Sequence, residues 1–125
     1  MTIRQAIEYC DSVKRNVYPF VNKVRWLNDI DHKIWREVIL THVGKPAEDL
    51  KGYDADSDAD SELLVPDPYA LDLYNFGLQA AIDKENGELQ KYAASSQLFN
   101  QAYKEYYSAY NRTHMPITRR HHFKF

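Results

Sequence analysis

The C-terminal half of this 125-residue chain carries an apolar and aromatic repeat that restricts it to helical geometry. The repeat advances in alternating steps of three and four residues, through Leu89, Tyr92, Ser96, Phe99, Tyr103, Tyr106 and Tyr110. That spacing places the side chains on one face of an α-helix, whereas it would scatter them over both faces of a strand. Because Pro116 disfavours helical geometry at Met115, the pattern predicts a helix that ends near His114.

Two helices are predicted in the N-terminal part of the chain. Thr2 and Gln5 have the spacing of a capping box at the start of the first, whose apolar face covers residues 3–17. The second covers residues 20–41, where apolar side chains again recur every three or four positions. Gly44 then ends it, since glycine accepts the left-handed backbone that commonly follows a helix.

A third helix is predicted to begin at Asp67 and Pro68, an acidic N-cap followed by proline at the first helical position. The short link at Gly87 predicts an antiparallel hairpin between the third and fourth helices. The predicted fold class is therefore all-α, with four main helices in a single domain over residues 1–125. Residues 115–125 form either a strand or an extended tail.

The formal net charge of −2 hides an uneven distribution along the chain. Residues 48–67 carry a net charge of −7, against +3 for residues 1–47 and +2 for residues 68–125. Closely spaced carboxylates repel one another, and burial of so few large apolar side chains cannot offset the loss of conformational entropy. We therefore predict a mobile acidic loop over residues 48–66, outside the core, and a basic-aromatic tail over residues 115–125.

Four aspartates alternate with small residues in this loop, namely Asp54, Asp56, Asp58 and Asp60. The first three match the acidic positions one, three and five of an EF-hand loop, where clustered carboxylate oxygens bind Ca²⁺. The same template requires glycine at position six and glutamate at position twelve. This chain has Ala59 and Val65 there, so a solvated loop is favoured over a calcium site and no metal is predicted.

The tail combines cations with aromatic rings at Arg119, Arg120, Phe123 and Phe125. One interpretation is a nucleic-acid contact, because cations bind phosphates and rings stack on bases. The favoured interpretation is a solvated tail or one that binds an acidic protein surface. The adjacent His121 and His122 are too few ligands for a tight metal site.

No residue pattern in the sequence points to catalysis. The single cysteine, Cys10, falls on the apolar face of the first helix, where a buried structural thiol is favoured over a nucleophile. His32, His42 and His114 fall on predicted helices and are interpreted as surface or packing residues. Nucleophile motifs, phosphate-binding loops and dinucleotide fingerprints do not occur. The chain is predicted not to be an enzyme and to need no cofactor.

Membrane insertion and secretion are not expected either. The apolar runs are far shorter than the ~20 residues that a transmembrane helix needs. The first residues lack the apolar stretch of a secretory signal.

Tyrosine is concentrated in the predicted fourth helix, at Tyr103, Tyr106, Tyr107 and Tyr110. These four residues surround more than one side of the helix, so a single apolar stripe cannot hold them all. A tyrosine ring is best buried while its hydroxyl stays hydrated or bonded, which is common at protein interfaces. We expect part of this set to pack in the core and the rest to contact another subunit or a partner.

A series of short motifs follows one another along the chain: Trp26-Leu27-Asn28-Asp29-Ile30-Asp31, Val65-Pro66-Asp67-Pro68-Tyr69, Leu73-Tyr74, Ala81-Ile82-Asp83, Asn86-Gly87-Glu88, Tyr92, Ser96, Leu98-Phe99-Asn100, Ala102-Tyr103 and Tyr110-Asn111-Arg112-Thr113-His114. Their order and spacing resemble those of the head–tail connector (adaptor) proteins of tailed bacteriophages and prophages. The resemblance covers residues 2–46 and 65–116. It rests on helix and turn patterns, because the family has no catalytic signature.

The resemblance implies a small helical subunit that forms a ring of about a dozen copies beneath the portal protein. Such a ring extends the DNA channel and seats the next neck or tail component, and DNA passes through it without specific binding. The expected location is the virion neck, after assembly in the cytoplasm of the bacterial host, with no membrane partner.

Two hypotheses and one alternative follow. The first hypothesis is that the loop that contains Asp54, Asp56, Asp58 and Asp60 faces the channel or becomes ordered only in the ring. The second is that the tail docks on the portal or on a neighbouring copy. The alternative is a small helical DNA-binding protein of phage packaging or regulation. That function needs a basic helix face, for which the fourth helix offers only Lys91, Lys104 and Arg112.

Overall fold

The computed structural model describes residues 1–117. Within them lie four α-helices and one short 3₁₀ turn: α1 (Ile3–Val13), α2 (Phe20–Glu37), the turn (Ile39–Thr41), α3 (Ala70–Glu85) and α4 (Leu89–Thr113). The predicted all-α class with four main helices is confirmed. The contacts predicted for the tail, at Arg119, Arg120, Phe123 and Phe125, lie outside the described residues.

Helix α1 begins where the capping box predicts. The Thr2 hydroxyl accepts a hydrogen bond from the Gln5 amide at 3.1 Å, and the Thr2 amide donates to the Gln5 side chain at 3.0 Å. The predicted apolar face is too long, however. The helix ends at Val13, and Val17 lies in the following linker with 93 % of its surface exposed.

Helix α2 is shorter than its pattern predicts, because its last turn tightens. The α-helical bonds end at Glu37, and residues Ile39–Thr41 continue as a 3₁₀ turn. Gly44 follows with φ +85°, as the predicted glycine stop requires.

Helix α3 begins later than the sequence predicts. Asp67 and Pro68 belong to a turn in which the Tyr69 amide donates to the Pro66 carbonyl at 3.1 Å, and the helix starts at Ala70. The predicted N-cap at Asp67 is therefore wrong. Once formed, α3 is the central helix of the fold: it packs on α1, α2 and α4 and buries residues around its whole circumference.

The hairpin of α3 and α4 is the largest contact in the fold, and it turns at Gly87 with φ +74°. A close approach at Gly77 lets α2 fit against it. A Cβ atom at that position would lie 2.5 Å from the Ile30 side chain and 3.2 Å from the Phe99 ring. A part-buried ion pair joins the end of α1 to the same hairpin: the buried Asp83 carboxylate accepts from the Lys14 amine and from the Ser95 hydroxyl, each at 2.6 Å.

The acidic loop of residues 48–66, from here on called the acidic segment, is more closely attached to the core than we predicted. Leu63 and Val65 are buried members of the core, and the Leu63 amide donates to the Met1 carbonyl at 2.9 Å. The Ile3 amide likewise donates to the Ser61 carbonyl at 3.1 Å. The expectation that residues 48–66 lie outside the core is therefore wrong for the part that follows Asp58, because α1 and the core hold it by backbone bonds and apolar burial.

The beginning of the tail is extended and pairs with the residues that follow α2. The Val43 amide donates to the Met115 carbonyl, and the Ile117 amide donates to the Thr41 carbonyl, each at 2.7 Å. One antiparallel bridge, His42 to Pro116, results. The two chain segments are thus fixed side by side at the C-terminal end of α2.

Candidate assembly surfaces

The four tyrosines of α4 are divided between core and surface. Tyr106 is buried, whereas Tyr103, Tyr107 and Tyr110 are half-buried and pack against the edge of the core. Tyr103 donates to the Glu37 carboxylate at 2.6 Å, and burial, together with this carboxylate, raises the pKa of its phenol. Only the half-buried members have ring edges that a partner can touch.

A buried histidine anchors the same tyrosine face to the end of α2. His42 has no exposed surface; its two ring nitrogens are bonded to the Val38 carbonyl and to the Asn111 side-chain oxygen. The rings of His42 and Tyr110 meet edge to face at 4.7 Å. His42 is therefore a packing residue, as predicted, and it joins α2 to α4 beside the place where the tail begins.

The acidic segment contains a four-residue repeat that our sequence analysis missed. Asp54-Ala55-Asp56-Ser57 is followed directly by Asp58-Ala59-Asp60-Ser61, and each unit folds into the same turn. The first aspartate of each unit accepts from the amide two residues later, at 2.9 Å and 3.0 Å, and its carbonyl accepts from the closing serine amide. The identical spacing of the two units was the available signal.

Two of the carboxylates in this segment are neutralised within the molecule. Glu62 pairs with the N-terminal amine at 3.0 Å, and Asp60 pairs with Arg4 at 3.1 Å. Within residues 1–117, Asp54, Asp56 and Asp58 have no cationic group within 4.0 Å. The same described part of the chain contains no cluster of three or more His, Cys, Asp or Glu side chains arranged to hold a metal ion.

A buried carboxylate fastens the acidic segment to the helices. Asp31 of α2 accepts from the hydroxyls of Tyr53 and Tyr74, each at 2.6 Å, and from the Leu64 amide at 3.1 Å. Burial raises the pKa of Asp31, although the three donors oppose the shift by stabilising the carboxylate. We did not predict this cluster, but an aspartate at a seam position of the second helix was its signal.

A groove of about 620 Å³ lies between α2 and the acidic segment. Asn28, His32, Leu50 and Tyr53 are among its lining residues, and three acidic side chains, Asp54, Asp58 and Glu62, also line it. We call it the acidic groove. Gly52 allows the segment to approach α2: its φ is +80°, and a Cβ atom would lie 2.6 Å from the Asn28 side-chain oxygen.

Two sets of apolar side chains are exposed at opposite ends of α2. Surface A, at the N-terminal end, consists of Val13, Val17, Phe20 and Val21. Surface B, at the C-terminal end, consists of Val43, Met115 and Ile117, which the paired segments bring together. Residues 22–37 of α2 lie between the two surfaces, which corresponds to about 24 Å. Each surface is available for a contact with another protein.

The basic residues of α4 do not form a continuous face. Lys91 pairs with Glu88 at 2.8 Å. Lys104 and Arg112 line a shallow hollow that they share with Glu105. The positive charge needed to hold a phosphate backbone is therefore divided and partly neutralised along this helix.

The remaining candidates for chemistry, Cys10, His32 and His114, are packed against or bonded to other parts of the fold. Cys10 is buried, and burial, reinforced by Asp11, raises the pKa of its thiol to about 11, which disfavours the reactive thiolate. His32 donates from Nδ1 to the Asn28 carbonyl at 2.9 Å, and the His114 ring stacks on the Tyr110 ring at 3.9 Å. The His114 Nδ1 atom also lies 2.8 Å from the Thr113 hydroxyl, but that hydroxyl is bonded to the Ala109 and Tyr110 carbonyls as part of the end of α4.

Comparison with known proteins gives no match to a family model, to a curated protein sequence or to a solved structure. Among residues 1–117, no helix combines the length and the apolar character needed to cross a membrane. The likeness to connector proteins therefore stays a prediction from the sequence motifs.

Proposed function

We propose that this chain is a structural assembly subunit: a head–tail connector that forms a ring under the portal of a tailed phage or prophage and extends its DNA channel. In this proposal its partners are further copies of itself, the portal protein and the next neck or tail component. It resides in the virion neck after assembly in the host cytoplasm, and DNA passes through the ring without specific binding.

The observation that carries the proposal is the pair of exposed apolar surfaces at opposite ends of α2. A ring is built from head-to-tail contacts, in which one surface of a subunit meets a different surface of its neighbour. Surfaces A and B are different in sequence and are separated by the length of a helix. The order and spacing of the connector-like motifs are the reason for proposing a phage neck rather than another ring-shaped assembly.

The charge distribution supports the same function. Asp54, Asp56 and Asp58 are exposed, and within residues 1–117 they have no cationic partner. Asp56 does not line the acidic groove, and a carboxylate of this kind repels the phosphate backbone, which suits the wall of a channel through which DNA must move. The tyrosine edges at Tyr103, Tyr107 and Tyr110 are further candidates for subunit contacts, because stiff aromatic side chains are enriched at interfaces.

The experiment that tests this function is to mix the purified chain with the portal ring of the same phage or prophage and to examine the mixture by electron microscopy. We expect a second ring stacked coaxially on the portal. A chain that carries Leu89→Asp is a matched control, because Leu89 is 77 % exposed and lies outside both surfaces.

Two results would contradict the proposal. One is the absence of any complex with the portal. The other is tight binding to duplex DNA that weakens steeply with salt, which is the behaviour of the alternative, a small helical DNA-binding protein of packaging or regulation.

A further inference from the structure

The acidic groove has the shape and the charge of a binding site for a basic, aromatic peptide. Tyr53, His32 and Leu50 provide ring and apolar surface, while Asp54 and Asp58 provide two of the carboxylates that have no cationic partner within residues 1–117. Lys51 is the one cation among the lining residues and forms no ion pair with them in this part of the chain. An occupant with several positive charges would therefore gain attraction that the free molecule does not supply.

The stretch that follows the described residues has the complementary composition. Residues 118–125 contain Arg119, Arg120 and Lys124, as well as Phe123 and Phe125. Arginine forms paired hydrogen bonds with carboxylates, and phenylalanine rings pack on tyrosine and histidine rings. The described residues end at Ile117, within surface B, where the Ile117 amide donates to the Thr41 carbonyl.

The lining of the groove continues to surface A through a second hollow. This smaller hollow shares Asn28, Tyr53 and Asp54 with the groove, and its lining continues to Val21 of surface A. If surface B of one copy meets surface A of the next, residues 118–125 of the first copy emerge beside the acidic groove of the second. Seven residues of α2, about 10 Å, separate Val21 from Asn28, and eight extended residues span up to about 26 Å.

We propose that residues 118–125 of one copy bind in the acidic groove of the neighbouring copy; this inference rests on the proposed head-to-tail assembly. Arg119 and Arg120 pair with Asp54 and Asp58, and the phenylalanine rings pack on the groove wall that contains Tyr53. The contact gives the assembly a second, charge-dependent attachment beside the apolar one.

The test uses two charge-reversed forms of the full chain. The tail variant carries Arg119→Glu and Arg120→Glu, and the groove variant carries Asp54→Lys and Asp58→Lys. Each variant alone should self-associate about tenfold more weakly than the wild type, or more weakly still, in sedimentation velocity over a concentration series. An equimolar mixture should recover the lost affinity, because each tail then meets a groove of opposite charge.

Three controls accompany these variants. Asp54→Asn with Asp58→Asn keeps the oxygens that accept the turn hydrogen bonds, so it should weaken association without a change in helical circular dichroism. Asp67→Lys with Glu85→Lys makes the same change of charge at exposed positions outside the groove and should leave association unchanged. The third control combines the tail and groove changes in one chain.

The possible failures are distinguishable. If neither variant alters an association that the wild type shows, the groove contact is refuted while the ring proposal stands. If the combined chain recovers but the mixture does not, residues 118–125 occupy the groove of their own chain and the proposed neighbour contact is wrong. If the wild type associates neither in solution nor on the portal ring, the proposed function fails, and this inference fails with it.

Discussion

Asp31 is the residue on which the attachment of the acidic segment depends most. Its carboxylate accepts from Tyr53, Tyr74 and Leu64 with no exposed surface. Asp31→Asn replaces one carboxylate oxygen with an NH₂ group, which cannot accept a hydrogen bond from the Tyr53 or Tyr74 hydroxyl or from the Leu64 amide. We predict that it lowers the free energy of unfolding by about 1–3 kcal/mol, measured by urea denaturation. The neighbouring exposed Asp29→Asn should have no comparable effect, and equal stabilities for the two variants would contradict the role of Asp31.

Buried thiol and phenol groups predict a loss of stability at alkaline pH. Burial raises the pKa of Cys10 from 9.0 to about 11 and the pKa of Tyr106 from 10.0 to about 12, and it also raises the pKa values of Tyr53 and Tyr74. Above pH 9 the unfolded chain releases protons that the folded chain keeps, so the free energy of unfolding falls as pH rises. The decline begins with Cys10 and steepens above pH 10, where the tyrosines contribute.

Urea unfolding at a series of pH values between 7 and 11 measures this slope. Cys10→Ala removes the first contribution, so its stability should change less between pH 9 and 10 than that of the wild type. A stability that rises over this range, or an identical slope in the Cys10→Ala variant, would contradict the assignment.

At the scale of elements, Gly52 is the residue that permits the acidic segment to lie against α2. Gly52→Ala combines left-handed backbone strain with a contact of 2.6 Å to Asn28, whereas Gly44→Ala meets open space at a similar φ of +85°. We predict a loss of about 1 kcal/mol for Gly44→Ala from the backbone alone. Gly52→Ala should lose about 1–3 kcal/mol more from overpacking. If the two variants lose the same free energy of unfolding, measured by thermal or urea denaturation, the close approach of Gly52 to Asn28 does not affect stability.

The elements with strong local signals were predictable from the sequence. Helix α4 (Leu89–Thr113) forms where the apolar and aromatic repeat from Leu89 to Tyr110 predicts it. The N-cap of α1 forms at Thr2, as the spacing of Thr2 and Gln5 indicates. The start of α3 was not predictable in this way, because the turn at residues 66–69 overrides the local preference for an N-cap at Asp67.

The acidic segment shows why the candidate site was only partly predictable. Composition correctly indicates exposed carboxylates at Asp54, Asp56 and Asp58, but it does not indicate that Leu63 and Val65 enter the core. The Leu63 amide donates to the Met1 carbonyl at the other end of the N-terminal half, and the Val65 amide donates to the Tyr74 hydroxyl of α3, so their burial depends on tertiary contacts. The acidic groove likewise depends on the folded chain: Asn28 and Asp31 of α2 hold Tyr53, and Gly52 lets the segment approach Asn28.

At the scale of the whole molecule, the arrangement of surfaces A and B determines the kind of assembly that can form. Identical surfaces that face each other give closed dimers, whereas two different surfaces give rings or filaments. The Val17 side chain in surface A and the Met115 side chain in surface B are 93 % and 72 % exposed. We therefore predict that an aspartate at either position disrupts the proposed contact between copies and leaves the fold of each copy intact.

The most direct measurement of head-to-tail assembly is the mass of an equimolar mixture of Val17→Asp and Met115→Asp, determined by light scattering. Each variant retains one intact surface, so the mixture should form a dimer of twice the monomer mass that cannot grow, while each variant alone stays monomeric. The Leu89→Asp control should assemble like the wild type. A mixture that stays monomeric where the wild type assembles, or either variant assembling alone like the wild type, would contradict the proposed use of the two surfaces.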